Sequence, residues 1–152
     1  MIRRITLCVV LLSISAFASA GTPYVTGLYE PVEGGYRLYF TLHNALEEKA
    51  IWYWYIATED AFDPFGPPGW TIWHTFRDVQ WRANSTWELP PGQSLGGFGY
   101  TAANKPSVLP YYIDIGYAGE VTMVLIPEPS SLLALAGGFL GLGGLALRRR
   151  RN

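Results

Sequence analysis

Side chains that could catalyse hydrolysis are few in the central part of this chain, residues 21–126. The serines there are Ser85, Ser94 and Ser107. Ser94 has Gly92 and Gly96 at the spacing of a Gly-x-Ser-x-Gly motif. That motif presents a serine nucleophile on a turn from a strand into a helix, whereas Ser94 begins a predicted strand with no helix after it. His43 and His74 are too far apart in sequence for a local metal-binding pair. We therefore predict no catalytic residues, no metal and no cofactor. An extracellular hydrolase remains an alternative, and it would require a cleft that contains His74 and Asp78.

One group of carboxylates, Glu59, Asp60 and Asp63, could bind a hard cation. Calcium takes about 6–8 oxygen ligands, and loop carboxylates can supply them. The spacing lacks the alternating Asp or Asn residues and the central glycine of a calcium-binding loop. We expect a solvated acidic turn here, with calcium binding as the alternative.

Aromatic rings are the most unusual property of the chain. All six tryptophans lie in residues 21–126, together with the ten tyrosines. The tryptophans are Trp52, Trp54, Trp70, Trp73, Trp81 and Trp87. Rings in this number either fill the core of a small domain or form an exposed platform that stacks on sugar rings.

Alternating polarity indicates the strands that carry these rings. The segment 36–42 places its four large apolar side chains on one face, as in a half-buried strand. The segment 51–57 predicts a neighbouring strand, with Trp52 and Trp54 on one face and the intervening tyrosines on the other. Further strands are predicted at residues 24–29, 70–76, 79–82, 94–101, 111–115 and 121–126, and one helical turn at 58–61.

These short strands, without the spacing of strand–helix–strand units, predict an all-β fold, an antiparallel β-sandwich. The length of residues 21–126 suits one domain. Five basic and eleven acidic side chains give this stretch a negative charge. We therefore do not expect nucleic acid as a partner.

Residues 1–20 have the order of a secretory signal peptide. A basic start is followed by apolar residues 5–17, and the small residues Ala18 and Ala20 frame a cleavage site. Signal peptidase is expected to cut after Ala20. Cys8, the single cysteine, leaves with this peptide, so no disulfide can form within the remaining chain.

The C-terminal residues 127–152 combine three elements. Pro127, Glu128 and Pro129 precede an apolar segment at 130–147, which is followed by Arg148, Arg149, Arg150 and Arg151. As a helix, residues 132–147 rise about 24 Å at about 1.5 Å each, which is short of the ~30 Å hydrocarbon core. We predict a marginal transmembrane helix at 130–147, with the four arginines retained in the cytoplasm.

In order and spacing these three elements resemble the PEP-CTERM sorting signal of Gram-negative and related bacteria. The resemblance covers residues 127–152 and implies recognition by an exosortase, with processing near Pro127, Glu128 and Pro129. It also implies delivery to the cell surface or to an exopolysaccharide matrix. An ordinary membrane anchor without processing is the alternative. Segments 67–70 and 89–100 are similar to parts of small immunoglobulin-like domains that precede this signal, which implies an immunoglobulin-like sandwich.

Together these features predict an exported, surface-sorted, non-catalytic protein of the bacterial envelope or extracellular matrix. Its precursor is expected to be anchored in the inner membrane. Because the sorting signal is associated with exopolysaccharide, the alternative function is a carbohydrate-binding module that uses exposed tryptophans. Trp70 and Trp73 are the candidate glycan contacts.

Overall fold

A computed structural model of the protein describes residues 21–127. This part of the chain forms strands β1 Tyr24–Val32, β2 Gly35–His43, β3 Tyr53–Ala57, β4 Ala61–Phe65, β5 Trp70–His74, β6 Asp78–Ala83, β7 Ser94–Ala102, β8 Val108–Ile113 and β9 Tyr117–Leu125, with a 3₁₀ turn at Asp114–Gly116. The predicted signal peptide and the sorting signal beyond Pro127 lie outside the described residues. Among residues 21–127, no helix is long and apolar enough to cross a membrane.

The strands form one sheet in the order β4-β7-β2-β1-β9-β8-β3-β6-β5, which folds over at β9. β9 pairs in parallel with β1 and antiparallel with β8. The other strand pairs of the described residues are antiparallel. We call β1, β2, β4 and β7 the first sheet, and β3, β5, β6 and β8 the second sheet. Their inner faces pack together, so the predicted all-β sandwich is confirmed.

Aromatic rings form a connected cluster between the two sheets. Trp54 on β3 and Trp81 on β6 stack with their ring centroids 4.5 Å apart. Phe98 on β7 meets Trp54 and Trp70 edge-on, with centroids 5.0 Å apart in each pair. Phe40 on β2 lies 6.1 Å from Trp54. Such pairs add about 0.5–1.5 kcal/mol each to the gain from burial, and they link the sheets in a chain that has a single cysteine.

The predicted pairing of segment 36–42 with segment 51–57 is wrong. β2 pairs with β1 and β7, whereas β3 pairs with β6 and β8 in the opposite sheet. The connection crosses from one sheet to the other and is fixed by Asn44, which is 2% exposed. Its Nδ2 donates to the carbonyl oxygens of Lys49 and Leu89, at 2.8 and 2.9 Å. These bonds replace the hydrogen bonds that the side-chain amide of Asn44 would make with water, so burying this amide costs little free energy.

The predicted helical turn at 58–61 is also wrong, because Thr58 to Asp60 form an irregular bend and β4 begins at Ala61. The alternation of apolar and polar residues did not predict β4, because Asp63 and Pro64 interrupt it. Asp63 has a positive φ of 49°, and the register with β7 shifts between Phe62 and Phe65. β4 is therefore a bulged edge strand, and both the bulge and the proline discourage pairing with another chain.

The remaining strand predictions hold with different ends. β8 begins and ends earlier than the predicted segment 111–115, because the chain turns at Asp114–Gly116. Gly116 has a φ of 87°, which a side chain would disfavour. β1 and β9 are longer than predicted, and β5 stops at His74.

The two stacked tryptophans predict a difference in stability. Trp81 Nε1 donates to the backbone carbonyl of Phe65 at 2.9 Å, whereas the buried Trp54 Nε1 has no partner among the described residues. Trp81→Phe should therefore lower the free energy of unfolding by about 1 kcal/mol more than Trp54→Phe, because only the first change removes a hydrogen bond. Urea titration of the two variants measures the difference, and equal losses would contradict the assignment.

Candidate functional site

The outward side chains of the second sheet form the candidate site. On β3, Trp54 and Ile56 are fully buried, so the alternation of side chains along a strand turns Tyr53 and Tyr55 outward. On β6, Val79 and Trp81 are buried in the same way, and the residues between and after them face outward. Burying the core rings thus determines which side chains of the second sheet reach the surface.

Strand register brings the outward side chains of four strands into one row. Trp73 lies opposite Gln80, Gln80 opposite Tyr55, and Tyr55 opposite Tyr112. Tyr55 and Tyr112 stack with ring centroids 4.8 Å apart and an interplanar angle of 16°. With the neighbouring residues this row makes a continuous surface, which we call the aromatic face: Trp52, Tyr53, Tyr55, Trp73, Gln80, Arg82 and Tyr112.

A shallow depression of about 180 Å³ lies at one end of the aromatic face and is lined by Trp52, Tyr53, Trp73, Gln80 and Arg82. Trp73 is 63% exposed and Trp52 is 40% exposed. The guanidinium carbon of Arg82 lies 5.0 Å from the ring centroid of Trp52. The depression therefore offers exposed indole rings for stacking beside an amide and a guanidinium that can form hydrogen bonds.

Tyr53 and Tyr55 of the aromatic face are neutral hydrogen-bonding groups at physiological pH. Burial raises the pKa of Tyr53, and the neighbouring Tyr55 and Asp78 raise it further. Burial likewise raises the pKa of Tyr55, with smaller contributions from Tyr112 and Asp78. Both hydroxyls therefore keep their protons, and the depression carries only the positive charge of Arg82.

The structure separates the two predicted glycan contacts, Trp70 and Trp73. Trp70 is 7% exposed and packs against Phe98 in the core, whereas Trp73 points outward. Both lie on β5, and an odd spacing along a strand puts side chains on opposite faces. The assignment of Trp70 to an exposed surface is therefore wrong, and Trp73 alone of this pair belongs to the aromatic face.

The prediction that Trp52 shares a face with Trp54 is wrong for a related reason. β3 begins only at Tyr53, so the alternation does not extend back to Trp52. The backbone N–H of Trp52 donates to Asp114 Oδ2 at 3.3 Å, outside any strand pairing. Its ring lies 5.8 Å from that of Tyr53, on the outer side of the sheet. This irregular position adds a second exposed indole to the depression.

His43 lies on the outer side of the first sheet, between two hydroxyl groups. Its Nδ1 lies 2.7 Å from Ser94 Oγ, and its Nε2 lies 2.9 Å from Thr26 Oγ1. Tyr24 stacks on the imidazole with centroids 4.4 Å apart. A serine nucleophile needs an imidazole that a carboxylate orients through its second nitrogen, and Thr26 occupies that position. The arrangement ties β1, β2 and β7 together.

The other candidate residues take part in turns. Asp78 Oδ1 accepts a hydrogen bond from Thr75 Oγ1 at 2.7 Å, which closes the turn between β5 and β6 beside the exposed His74. Asp60 accepts from Thr58 at 3.0 Å and from Asn104 Nδ2 at 3.2 Å. Within residues 21–127, no three carboxylate, imidazole or thiol side chains converge as a metal site requires.

Sequence reasoning missed Gln80, Arg82 and Tyr112 as members of the site. The alternation over 78–83 does indicate that Gln80 and Arg82 point away from the core. Their neighbours follow from the pairing of β6 with β3 and β5, which links distant parts of the chain. No local signal in the sequence predicts this pairing.

Comparison with known proteins gives no family. No family model and no curated protein matches the chain. An uncharacterized protein from Nocardia farcinica, described as having an immunoglobulin-like fold, is similar over 62% of this chain and 82% of its own, with 15% identity and a TM-score of 0.46. An inactive mutant of a GH20 exo-β-N-acetylglucosaminidase from Vibrio harveyi is similar over 69% of this chain and 18% of its own, with 10% identity and a TM-score of 0.40. At these values neither similarity assigns a function.

The position of His43 predicts a pH dependence of stability. Burial lowers the pKa of His43 below its usual 6.5, so the unfolded chain takes up a proton first as the pH falls. The free energy of unfolding should then have its full value above about pH 6.5. It should decrease as the pH falls from there towards the lowered pKa of His43 in the folded protein. His43→Gln should show a smaller decrease between about pH 7.5 and about pH 5.5 in urea titrations. The same decrease in both proteins would show that His43 is not the group responsible.

Proposed function

We propose that residues 21–126 form a non-catalytic domain that binds polysaccharide through the aromatic face. The observation that carries this proposal is the exposure of Trp73 and Trp52 beside a depression that also presents hydrogen-bonding groups. A sugar ring has apolar C–H faces and a polar edge. The flat indole of Trp73 suits the first, and the amide of Gln80 suits the second.

The alternative is that the aromatic rings serve only to fill the core. That need is met by a separate set of rings: Trp54, Trp70 and Trp81 are buried between the sheets. The rings of the aromatic face lie on the other side of the same strands and contribute nothing to contact between the sheets. Exposed tryptophans in such a position favour a binding surface over a packing role.

The proposal also includes export and sorting. A signal peptide at 1–20 and a PEP-CTERM signal at 127–152 direct the chain through the inner membrane to an exosortase. The enzyme cuts near Pro127 and releases the domain to the cell surface or the matrix. The domain itself is proposed to be an immunoglobulin-like sandwich, supported by the resemblance of segments 67–70 and 89–100 to such domains.

Loss of the exposed indole should abolish binding without affecting the fold. Trp73→Ala should lose retention on immobilised envelope polysaccharide while changing the free energy of unfolding by no more than about 0.5 kcal/mol, as surface substitutions usually do. Phe76→Ala is the matched control, because Phe76 is 74% exposed and does not line the depression. Trp70→Ala should instead cost about 3–5 kcal/mol of stability. Full retention by Trp73→Ala would contradict the proposal.

Processing can be tested on the protein recovered from the cell surface. Its intact mass should lack Arg148 to Arg151, because the cut lies on the outer side of the apolar segment. Replacing these four arginines by glutamine should reduce retention of the precursor in the membrane, since charged residues resist crossing. A surface protein that still carries the arginines would exclude processing and favour an ordinary anchor.

A further inference from the structure

Arg82 is the one charged residue among the five that line the depression. It lies on the outward side of β6, between Thr71 of β5 and Tyr53 of β3. Its guanidinium rests on the ring of Trp52. Within residues 21–127 it forms no ion pair with a carboxylate. Its planar group is therefore held in position while its N–H donors stay available to a ligand.

The surroundings of Arg82 differ from the rest of the domain, in which acidic residues exceed basic ones by eleven to five. The carboxylate that shares the outward side of β6 is Asp78, four residues away from Arg82. That spacing is about 13 Å along a strand, which exceeds the screening length of about 8 Å at physiological salt. Asp78 acts on the hydroxyl of Tyr53, and Asp114 accepts a hydrogen bond from the backbone N–H of Trp52. Neither carboxylate lines the depression, so the charge that a ligand there contacts directly is that of Arg82.

We propose, resting on the function proposed above, that the polysaccharide is acidic and that Arg82 binds the carboxylate of a uronic acid residue. A guanidinium forms two parallel hydrogen bonds with a carboxylate, a geometry that no neutral sugar hydroxyl reproduces. Trp73 supplies the ring on which the sugar stacks, and Trp52 orients Arg82. Gln80 lies opposite Trp73 and on the same side of β6 as Arg82, so it can bind a hydroxyl of the same sugar.

The test uses the full chain, purified in mild detergent, and three carboxylated polymers: polygalacturonate, alginate and hyaluronan. Each polymer is paired with its methyl ester, which keeps the sugar backbone and removes the charge. At least one acidic polymer should bind about tenfold more tightly than its ester, the scale of a hydrogen-bonded charge pair. Affinity electrophoresis or calorimetry measures the ratio.

Two arginine variants test the residue itself. Arg82→Gln should remove the preference for the acid over the ester, and Arg82→Lys should keep only part of it because the ammonium lacks the planar fork. Arg77→Gln is the matched control, because Arg77 also lies over an exposed ring, that of Phe76 at 4.9 Å. It should leave the preference unchanged. Thermal midpoints of all variants establish that each one is folded.

The outcomes separate this inference from the function on which it rests. Equal binding of acids and esters would overturn the role of Arg82 and leave polysaccharide binding intact. A preference for acids that persists in Arg82→Gln would show that another residue recognises the carboxylate, and it would also overturn the role of Arg82. Binding of none of the six polymers would overturn the assignment to uronic acids. Retention of the unaltered protein on envelope polysaccharide then decides the function on which that assignment rests.

Discussion

The packing of Trp54 on Trp81 is the contact on which the domain and its surface both depend. These two rings lie on adjacent strands of the second sheet and receive Phe98 from the first sheet. Because side chains alternate along a strand, burying the two tryptophans fixes their neighbours on the outside. A shift of β3 by one residue would exchange Trp54 for Tyr55 in the core and dismantle the aromatic face as well. Core and candidate site are therefore specified by one register.

Local pattern predicted most of the strands, because alternation in segments such as 36–42 reflects one buried face. It did not predict β4, where Asp63 and Pro64 look like a turn and form a bulge within an edge strand. The partners of each strand were also beyond local reasoning, since β2 and β3 are consecutive in the chain but lie in different sheets. The site depends on those partners. Trp73 could be named from its type, whereas Arg82 and Tyr112 join it only through pairings between distant strands.

The outward rings are held in place by one another. Tyr55 stacks on Tyr112, Tyr53 contacts both Trp52 and Tyr55, and Arg82 covers Trp52. Aromatic side chains have few rotatable bonds, so ordering them on binding costs little conformational entropy. Rings mounted on paired strands lose still less freedom than rings on a loop. A surface of this kind is suited to a repeating, extended ligand, because successive units meet the same rigid platform.

β9 has a neighbour on each side, β1 in parallel and β8 antiparallel. At its end, the N–H of Ile126 still donates to the carbonyl of Tyr29 at 2.8 Å. A pulling force applied to the chain beyond Pro127 therefore acts along a strand that is clamped on both edges. β1 pairs with residues 123–125 of β9 and β8 pairs with residues 117–122, so the force reaches the row of hydrogen bonds to β1 first. The chain thus leaves the domain from an interior strand, which a load cannot peel from an open edge of the sheet.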